Sequence, residues 1–193
     1  MRPVPRWLAR TSVDLRGKRI LLTCASSGIG EVAAQKLADH GATVIAVARR
    51  ESLLADLVER ITARGGNAIA IPTDLADLAQ VDKVVEAVGP VDILINNAAR
   101  SIRRPLIESL DRWHDVERVM ALNYYAPLRL IRGLAPAMIE RGDGHIINVA
   151  TWRVLPESSP MFAAYNASKA ALSAVSRVID TEWGHAGVHS TTS

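Results

Sequence analysis

Short runs of consecutive apolar residues alternate along the chain with longer segments in which apolar positions recur at helical spacing. The apolar runs are RILLT, TVIAVA, AIAIP, VDILINN and HIINVA, at 19–23, 43–48, 68–72, 91–97 and 145–150. Between them, segments such as GEVAAQKLADHG space valine, alanine and leucine three and four residues apart and end at a glycine. Continuous apolar strands joined by helices are typical of parallel strands buried on both faces. The pattern therefore predicts a doubly wound α/β fold.

The glycine turn after the first apolar run is a candidate ligand site, because ligands of such sheets bind beyond the carboxyl ends of the strands. Gly28 and Gly30 precede a helix that the pattern starts at Glu31. Backbone N–H groups at that helix terminus suit a pyrophosphate. The spacing departs from the G-x-G-x-x-G dinucleotide fingerprint, so an ordinary strand-to-helix turn is the alternative interpretation.

Two arginines, Arg49 and Arg50, end the second apolar run. An acidic residue at this place favours a free ribose 2′-hydroxyl, whereas arginine suits a 2′-phosphate. The pair predicts NADP(H) as the cofactor in preference to NAD(H).

The segment YNASK places Tyr165 and Lys169 four residues apart, on one face of a predicted helix. A free tyrosine titrates near ~10, which is too high for efficient proton transfer at neutral pH, and a nearby ammonium favours the phenolate. The pair is a candidate general acid/base, and a surface contact is the alternative interpretation.

The motifs TCASSGIG, VARR, TDL, INNAA, the asparagine of ALNYY, HIINVAT and YNASK follow one another along the chain. In order and spacing they resemble the short-chain dehydrogenase/reductase family from about Leu15 onward. The resemblance implies a Rossmann-type parallel sheet in three layers, α/β/α. It also implies an NADP(H)-dependent oxidoreductase that interconverts a small-molecule carbonyl and an alcohol, and a homo-oligomer. The stretch from Thr151 to Gly184 is most similar to bacterial reductases of fatty acyl-CoA and related lipid-like carbonyls.

The same resemblance implies roles for individual residues. Tyr165 would be the proton donor to a carbonyl or the base toward an alcohol, Lys169 would support it and hold the nicotinamide ribose, and Asn123 would position a water in a proton relay. Thr151 stands near the position of the family's catalytic serine, with Ser158 and Ser159 as alternatives closer to Tyr165. The implied cofactor-binding residues are Thr23, Ser26, Ser27, Gly28, Ile29, Gly30, Arg49, Arg50, Asp74, Leu75, Asn96, Ala98, Tyr165 and Lys169.

Several positions depart from the family pattern. Cys24 replaces the first glycine of the turn, and a side chain there costs ~1–2 kcal/mol if the backbone needs a positive φ. Arg153 stands where relatives often have glycine. These departures favour an alternative function class, a degenerate relative that binds nucleotide weakly or not at all and has no turnover.

The last residues, GVHSTTS, predict the beginning of a sixth strand, whereas the resemblance implies that relatives continue further. We therefore expect residues 15–193 to form a single domain that lacks the last one or two strands of the family sheet. Residues 1–14 would form an N-terminal arm.

Composition narrows the remaining classes of protein. The apolar fraction of 49% against 22% charged residues is typical of a folded protein. The net charge of +3 comes from 23 basic and 20 acidic residues without a basic stripe, so no nucleic-acid partner is expected. The five histidines show no metal-ligand spacing. A single cysteine and the absence of a run near ~20 apolar residues predict a cytoplasmic protein without a transmembrane segment.

Overall fold

The structure is a computed structural model that describes residues 14–151 and 160–193. Residues 1–13 of the predicted arm lie outside the described residues, as do Arg153, Ser158 and Ser159. Among the residues that are described, no helix is long and apolar enough to cross a membrane.

Six parallel strands form one sheet in the order β3-β2-β1-β4-β5-β6. They are β1 (Arg19–Thr23), β2 (Thr43–Ala48), β3 (Asn67–Pro72), β4 (Ile93–Asn96), β5 (Gly144–Asn148) and β6 (Val188–Thr192). The predicted fold class is confirmed, and the sixth strand is formed in full register against β5. Because the strand order reverses between β1 and β4, a crevice opens above the carboxyl ends of these two strands.

Helices cover both faces of the sheet. They are α1 (Gly28–Asp39), α2 (Glu51–Ala63), α3 (Leu78–Val88), α4 (Trp113–Met120), α5 (Ala126–Arg141) and α6 (Ala163–Trp183). The first helix begins at Gly28, before the predicted start at Glu31, because the Glu31 N–H already donates to the carbonyl of Ser27. One wide π-helical turn, Ala121–Tyr125, joins α4 to α5.

Successive residues of β1 show how the two cores are built. Leu21 packs among apolar side chains of α3, α5 and α6, whereas Leu22 packs on the other face against α1 and α2. Both leucines are at most 1% exposed, and burial of such a side chain contributes about 1.5–3 kcal/mol. The alternation follows from the strand period of two, and it fixes the sheet between the two helical layers.

Candidate functional site

The turn between β1 and α1 is packed so closely that one position admits only glycine. A Cβ on Gly30 would collide with the carbonyl oxygen of Cys24 and would lie 2.8 Å from Nδ2 of Asn97. Gly28 adopts a φ of +59°, a left-handed conformation that side chains rarely take. The glycines thus bring the start of α1 directly over the end of β1.

The backbone of Cys24 adopts a positive φ of 55°. This is the condition under which a side chain at this position was expected to add strain. Its side chain is half-buried and packs against the core on the α3, α5 and α6 side. A non-glycine residue in this conformation carries strain of about 1–2 kcal/mol.

Thr23 is buried, and its hydroxyl makes hydrogen bonds to backbone groups of the protein. Its Oγ1 accepts hydrogen bonds from the backbone N–H groups of Asn97 (2.9 Å) and Ala98 (2.8 Å). In return, Nδ2 of Asn97 donates to the carbonyl of Thr23 at 3.0 Å. These bonds join the carboxyl ends of β1 and β4. Asn97 was not among the predicted site residues, although its place directly after Asn96 at a strand end was a signal for it.

A cavity of about 330 Å³ lies beyond β1, β2, β3 and β4. Seven predicted cofactor residues line it: Ser26, Ser27, Arg49, Arg50, Asp74, Leu75 and Ala98. The other lining residues are Cys24, Ala48, Thr73, Ala76, Ala99, Arg100 and Leu122. The strand ends therefore gather segments that are as much as 98 residues apart, from Cys24 to Leu122, around one space.

Arg50 crosses the mouth of this cavity to the glycine turn. Its Nη2 donates to Oγ of Ser27 at 2.7 Å and to Oγ of Ser26 at 3.4 Å. Ser27 is the N-cap residue of α1 but makes no side-chain cap hydrogen bond. The α1 terminus thus keeps N–H groups without a side-chain cap beside an arginine, a combination that suits an anion.

Asp74 holds the loop after β3. Its Oδ1 accepts from the Ala76 N–H at 3.0 Å, while the Asp74 N–H donates to Oε1 of Gln80 at 3.0 Å. Leu75 beside it is 4% exposed. The pair forms one rigid wall of the cavity.

Asn123 lies at the centre of a buried polar network on the π-helical turn. Its Oδ1 accepts from the Arg100 N–H at 2.7 Å, and its Nδ2 donates to the Arg100 carbonyl at 2.9 Å and to Oγ of Ser168 at 3.0 Å. The Ser168 hydroxyl donates in turn to the carbonyl of Tyr165 at 2.7 Å. The network ties the β4 loop to the helix that carries tyrosine and lysine. Ser168 was missed because nothing in YNASK distinguishes a linking serine from a spacer.

Lys169 and Tyr165 lie one turn apart on α6, as predicted. Lys169 is 1% exposed, and its Nζ donates to the carbonyl of Val149 at 2.6 Å. Burial disfavours the charged form and lowers the pKa of Lys169 to about 8. Tyr165 is half-buried, with the ring of Phe162 edge-on at a centroid distance of 6.3 Å. The two residues combine a half-buried tyrosine with a buried amine whose pKa is lowered by burial.

The remaining predicted residues lie in other surroundings. Asn96 is buried, and its amide donates to Oδ1 of Asn148 at 2.8 Å across β4 and β5. Ile29 is 77% exposed at the start of α1. Thr151 follows β5 and lines a separate groove with Ser173 and other residues of α6 and β6. Asn148, which no motif singled out, completes the pair with Asn96.

The residues present fit a phosphorylated dinucleotide. Gly30 lets the start of α1 lie against the carboxyl end of β1, the α1 terminus has no side-chain cap, and Arg49 and Arg50 border the adjoining cavity. Within residues 14–151 and 160–193, no three His, Cys, Asp or Glu side chains are grouped so that they could hold a metal ion.

Known proteins resemble this chain over nearly its whole length. It is 68% identical over 188 residues to a fatty acyl-CoA reductase of Mycobacterium tuberculosis, covering 95% of this chain and 64% of that protein. It is 46% identical over 173 residues to a fatty acyl-CoA reductase of Acinetobacter baylyi, covering 88% of this chain and 58% of that protein. The chain thus spans less than two thirds of the length of these two relatives.

A solved structure shares the fold. A metagenomic short-chain oxidoreductase in complex with NADP superposes with a TM-score of 0.85 at 32% identity, over 93% of this chain and 82% of that one. The family model described as short chain dehydrogenase matches residues 18–192. With the strand order, the glycine turn and the Tyr165–Lys169 helix in place, the chain belongs to the short-chain dehydrogenase family.

Proposed function

We propose that this chain binds NADP(H) and interconverts a carbonyl and an alcohol, with Tyr165 as the general acid/base. The observation that carries the proposal is the burial of Lys169 on the Tyr165 face of α6, with its Nζ fixed to the Val149 carbonyl at 2.6 Å. A lysine held in this way keeps a titratable amine on the face of α6 that carries the phenol, and little conformational entropy is lost when it acts there.

Each residue of the proposed site has a distinct role in the reaction. Tyr165 donates a proton to the carbonyl oxygen in reduction and accepts it in oxidation. Lys169 supports the phenolate, and Asn123 holds the loop at Arg100 and the helix at Ser168 in one arrangement. The nicotinamide, when bound, supplies the hydride, so the protein contributes orientation and the proton. Thr151 is proposed as a hydroxyl donor to the substrate carbonyl.

Arg49 and Arg50 support NADP(H) as the preferred cofactor. Arg50 is already held toward the glycine turn by Ser27, so little side-chain freedom is lost when it meets a 2′-phosphate. Ser26, Ser27, Gly28, Ile29, Gly30, Asp74, Leu75 and Ala98 are proposed to complete the nucleotide site.

The substrate class proposed is a fatty acyl-CoA, which two relatives bear in their names, or a related lipid-like carbonyl. Hydride addition to the thioester carbonyl of an acyl-CoA expels the CoA thiol and leaves an aldehyde, and hydride addition to that aldehyde with a proton from Tyr165 gives the alcohol. An apolar surface after β4 agrees with it: Leu106, Ile107, Leu110 and Trp113 are 66–75% exposed. This segment adjoins the tyrosine helix, because the Arg104 N–H donates to the Met161 carbonyl at 2.8 Å.

The test is NADPH consumption by the 193-residue chain with a long-chain acyl-CoA, compared with Tyr165→Phe. Loss of the proton donor lowers turnover by about 10²–10⁴-fold, whereas the affinity for NADPH stays within about twofold because the ring remains. Equal turnover in the variant and the parent would show that Tyr165 is not the acid/base.

A second candidate function is weak or absent nucleotide binding without turnover. The strained conformation of Cys24 in the glycine turn favours it. Fluorescence titration with NADPH, and with NADH for comparison, distinguishes the two functions. Saturable binding that is tighter for NADPH supports the first, and folded chain that binds neither supports the second. The single-domain division, the homo-oligomer and the cytoplasmic location stay predictions.

A further inference from the structure

A third arginine faces the cavity that holds the predicted nucleotide residues. Arg100 follows β4, lines the cavity together with Arg49 and Arg50, and is only half-exposed. In the described part of the chain, no ion pair and no hydrogen bond involves its guanidinium. A guanidinium without a protein partner beside a cavity is available to an anionic ligand.

The backbone of Arg100 is fixed from both sides. Asn123, which is fully buried, accepts from its N–H at 2.7 Å and donates to its carbonyl at 2.9 Å. The base of the arginine side chain is therefore held at one place beside the cavity. Such preorganisation lowers the entropy lost when the side chain binds a ligand.

The charges around the cavity are unequal. Among the described residues that line it, Arg49, Arg50 and Arg100 are cations and Asp74 is the one carboxylate. One oxygen of Asp74 already accepts from the Ala76 N–H. Three arginines against one aspartate give the lining an excess of positive charge, which favours an anionic ligand such as a phosphate.

We propose that Arg100 binds a phosphate group of the nucleotide in this cavity and is a cofactor-binding residue of the site. The inference rests on the proposed binding of NADP(H). The guanidinium provides planar donors that match phosphate oxygens. The phosphate is either the 2′-phosphate or the diphosphate, and the two are separated by experiment.

The experiment measures the dissociation constants of NADPH and NADH for the parent chain, Arg100→Met and Arg100→Lys. We expect Arg100→Met to weaken NADPH binding about tenfold, the loss typical of one charge-assisted hydrogen bond. A loss confined to NADPH assigns Arg100 to the 2′-phosphate, whereas an equal loss for NADH assigns it to the diphosphate. In either case Arg100→Lys recovers part of the affinity, and the salt dependence of binding is smaller for Arg100→Met than for the parent.

Arg103→Met is the matched control, because Arg103 is exposed in the same loop and does not line the cavity. We expect it to bind both nucleotides as the parent does. Unchanged NADPH affinity in Arg100→Met overturns the assignment. A loss of affinity in Arg100→Met also overturns it if Arg100→Lys recovers none of that affinity and the salt dependence of binding is the same as in the parent. If the folded parent chain itself binds neither nucleotide, the proposed function and the role of Arg100 are both wrong.

Discussion

The two ends of the site are built from polar residues in opposite ways. At the proposed nucleotide end, formed by Ser26, Ser27, Arg49 and Arg50, the arginines are exposed, and Arg50 contacts the two serine hydroxyls. At the proposed catalytic end, formed by Asn123, Tyr165, Ser168 and Lys169, three of the four side chains are at most 1% exposed. Exposed charges keep their water when no ligand is present, whereas buried polar groups need protein partners. Affinity at the first end is therefore separable from stability, and chemistry at the second end is not.

Removal of Asn123 is expected to have the largest effect. Asn123→Ala removes the acceptor of the Arg100 N–H and the donor to the Arg100 carbonyl and the Ser168 hydroxyl, which costs roughly 3–5 kcal/mol of the free energy of unfolding. Urea unfolding measures this, with the exposed Asn67→Ala as a control that changes it little. A stable Asn123→Ala chain that has lost only turnover would break the contrast between the two ends.

Lys169 gives the catalytic end a pH dependence. Its pKa of about 8 in the folded chain lies below the ordinary 10.5, so the unfolded chain binds more protons between these values and stability rises with pH across that window. Relative to Lys169→Met, the free energy of unfolding of the parent should rise by on the order of 3 kcal/mol from pH 8 to pH 10.5. Parallel pH profiles for the two chains would contradict the burial effect, and the exposed Lys83→Met should follow the parent.

Arg50 tests the nucleotide end. Arg50→Gln removes the positive charge beside Ser27, and we expect NADPH to bind about tenfold more weakly while NADH binding and the thermal midpoint hardly change. NADH serves as the internal control because it lacks the 2′-phosphate. A matching loss of stability would show that this end, too, is part of the folded framework.

Cys24 carries the smallest expected effect. Cys24→Gly relieves the backbone at φ 55° but adds freedom to the unfolded chain, so the net gain in the free energy of unfolding is about 0.5–1 kcal/mol. Cys24→Ala keeps the Cβ and the strain, and should show no such gain. If only Cys24→Gly binds NADPH more tightly than the parent, the strained turn backbone limits nucleotide affinity. If the parent, Cys24→Gly and Cys24→Ala bind NADPH equally, the turn backbone does not limit affinity.

Where many of the proposed site residues lie in the fold could be predicted, because these residues stand directly after strands. The apolar runs set the strands, the parallel arrangement brought their ends together, and the helical spacing put Tyr165 and Lys169 on one face. The predicted strain at Cys24 also follows from local reasoning, since a turn that approaches a helix terminus needs a left-handed residue.

The partners of the buried polar groups were beyond such reasoning. Thr23 was predicted to bind the cofactor, yet in the fold its hydroxyl accepts from Asn97 and Ala98, more than 70 positions away. Asn96 meets Asn148 only because β4 and β5 are neighbours in register.

The sequence by itself determined the alternation of strands and helices, the glycine turn, and the face shared by tyrosine and lysine, because each depends on the spacing of near neighbours. Only the tertiary structure decided that Asn123 hydrogen-bonds to Arg100 and Ser168, and that Lys169 donates to the carbonyl of Val149. The physical reason is that a buried polar atom must be satisfied by whatever the sheet order brings beside it, and that order is set by packing across the whole chain.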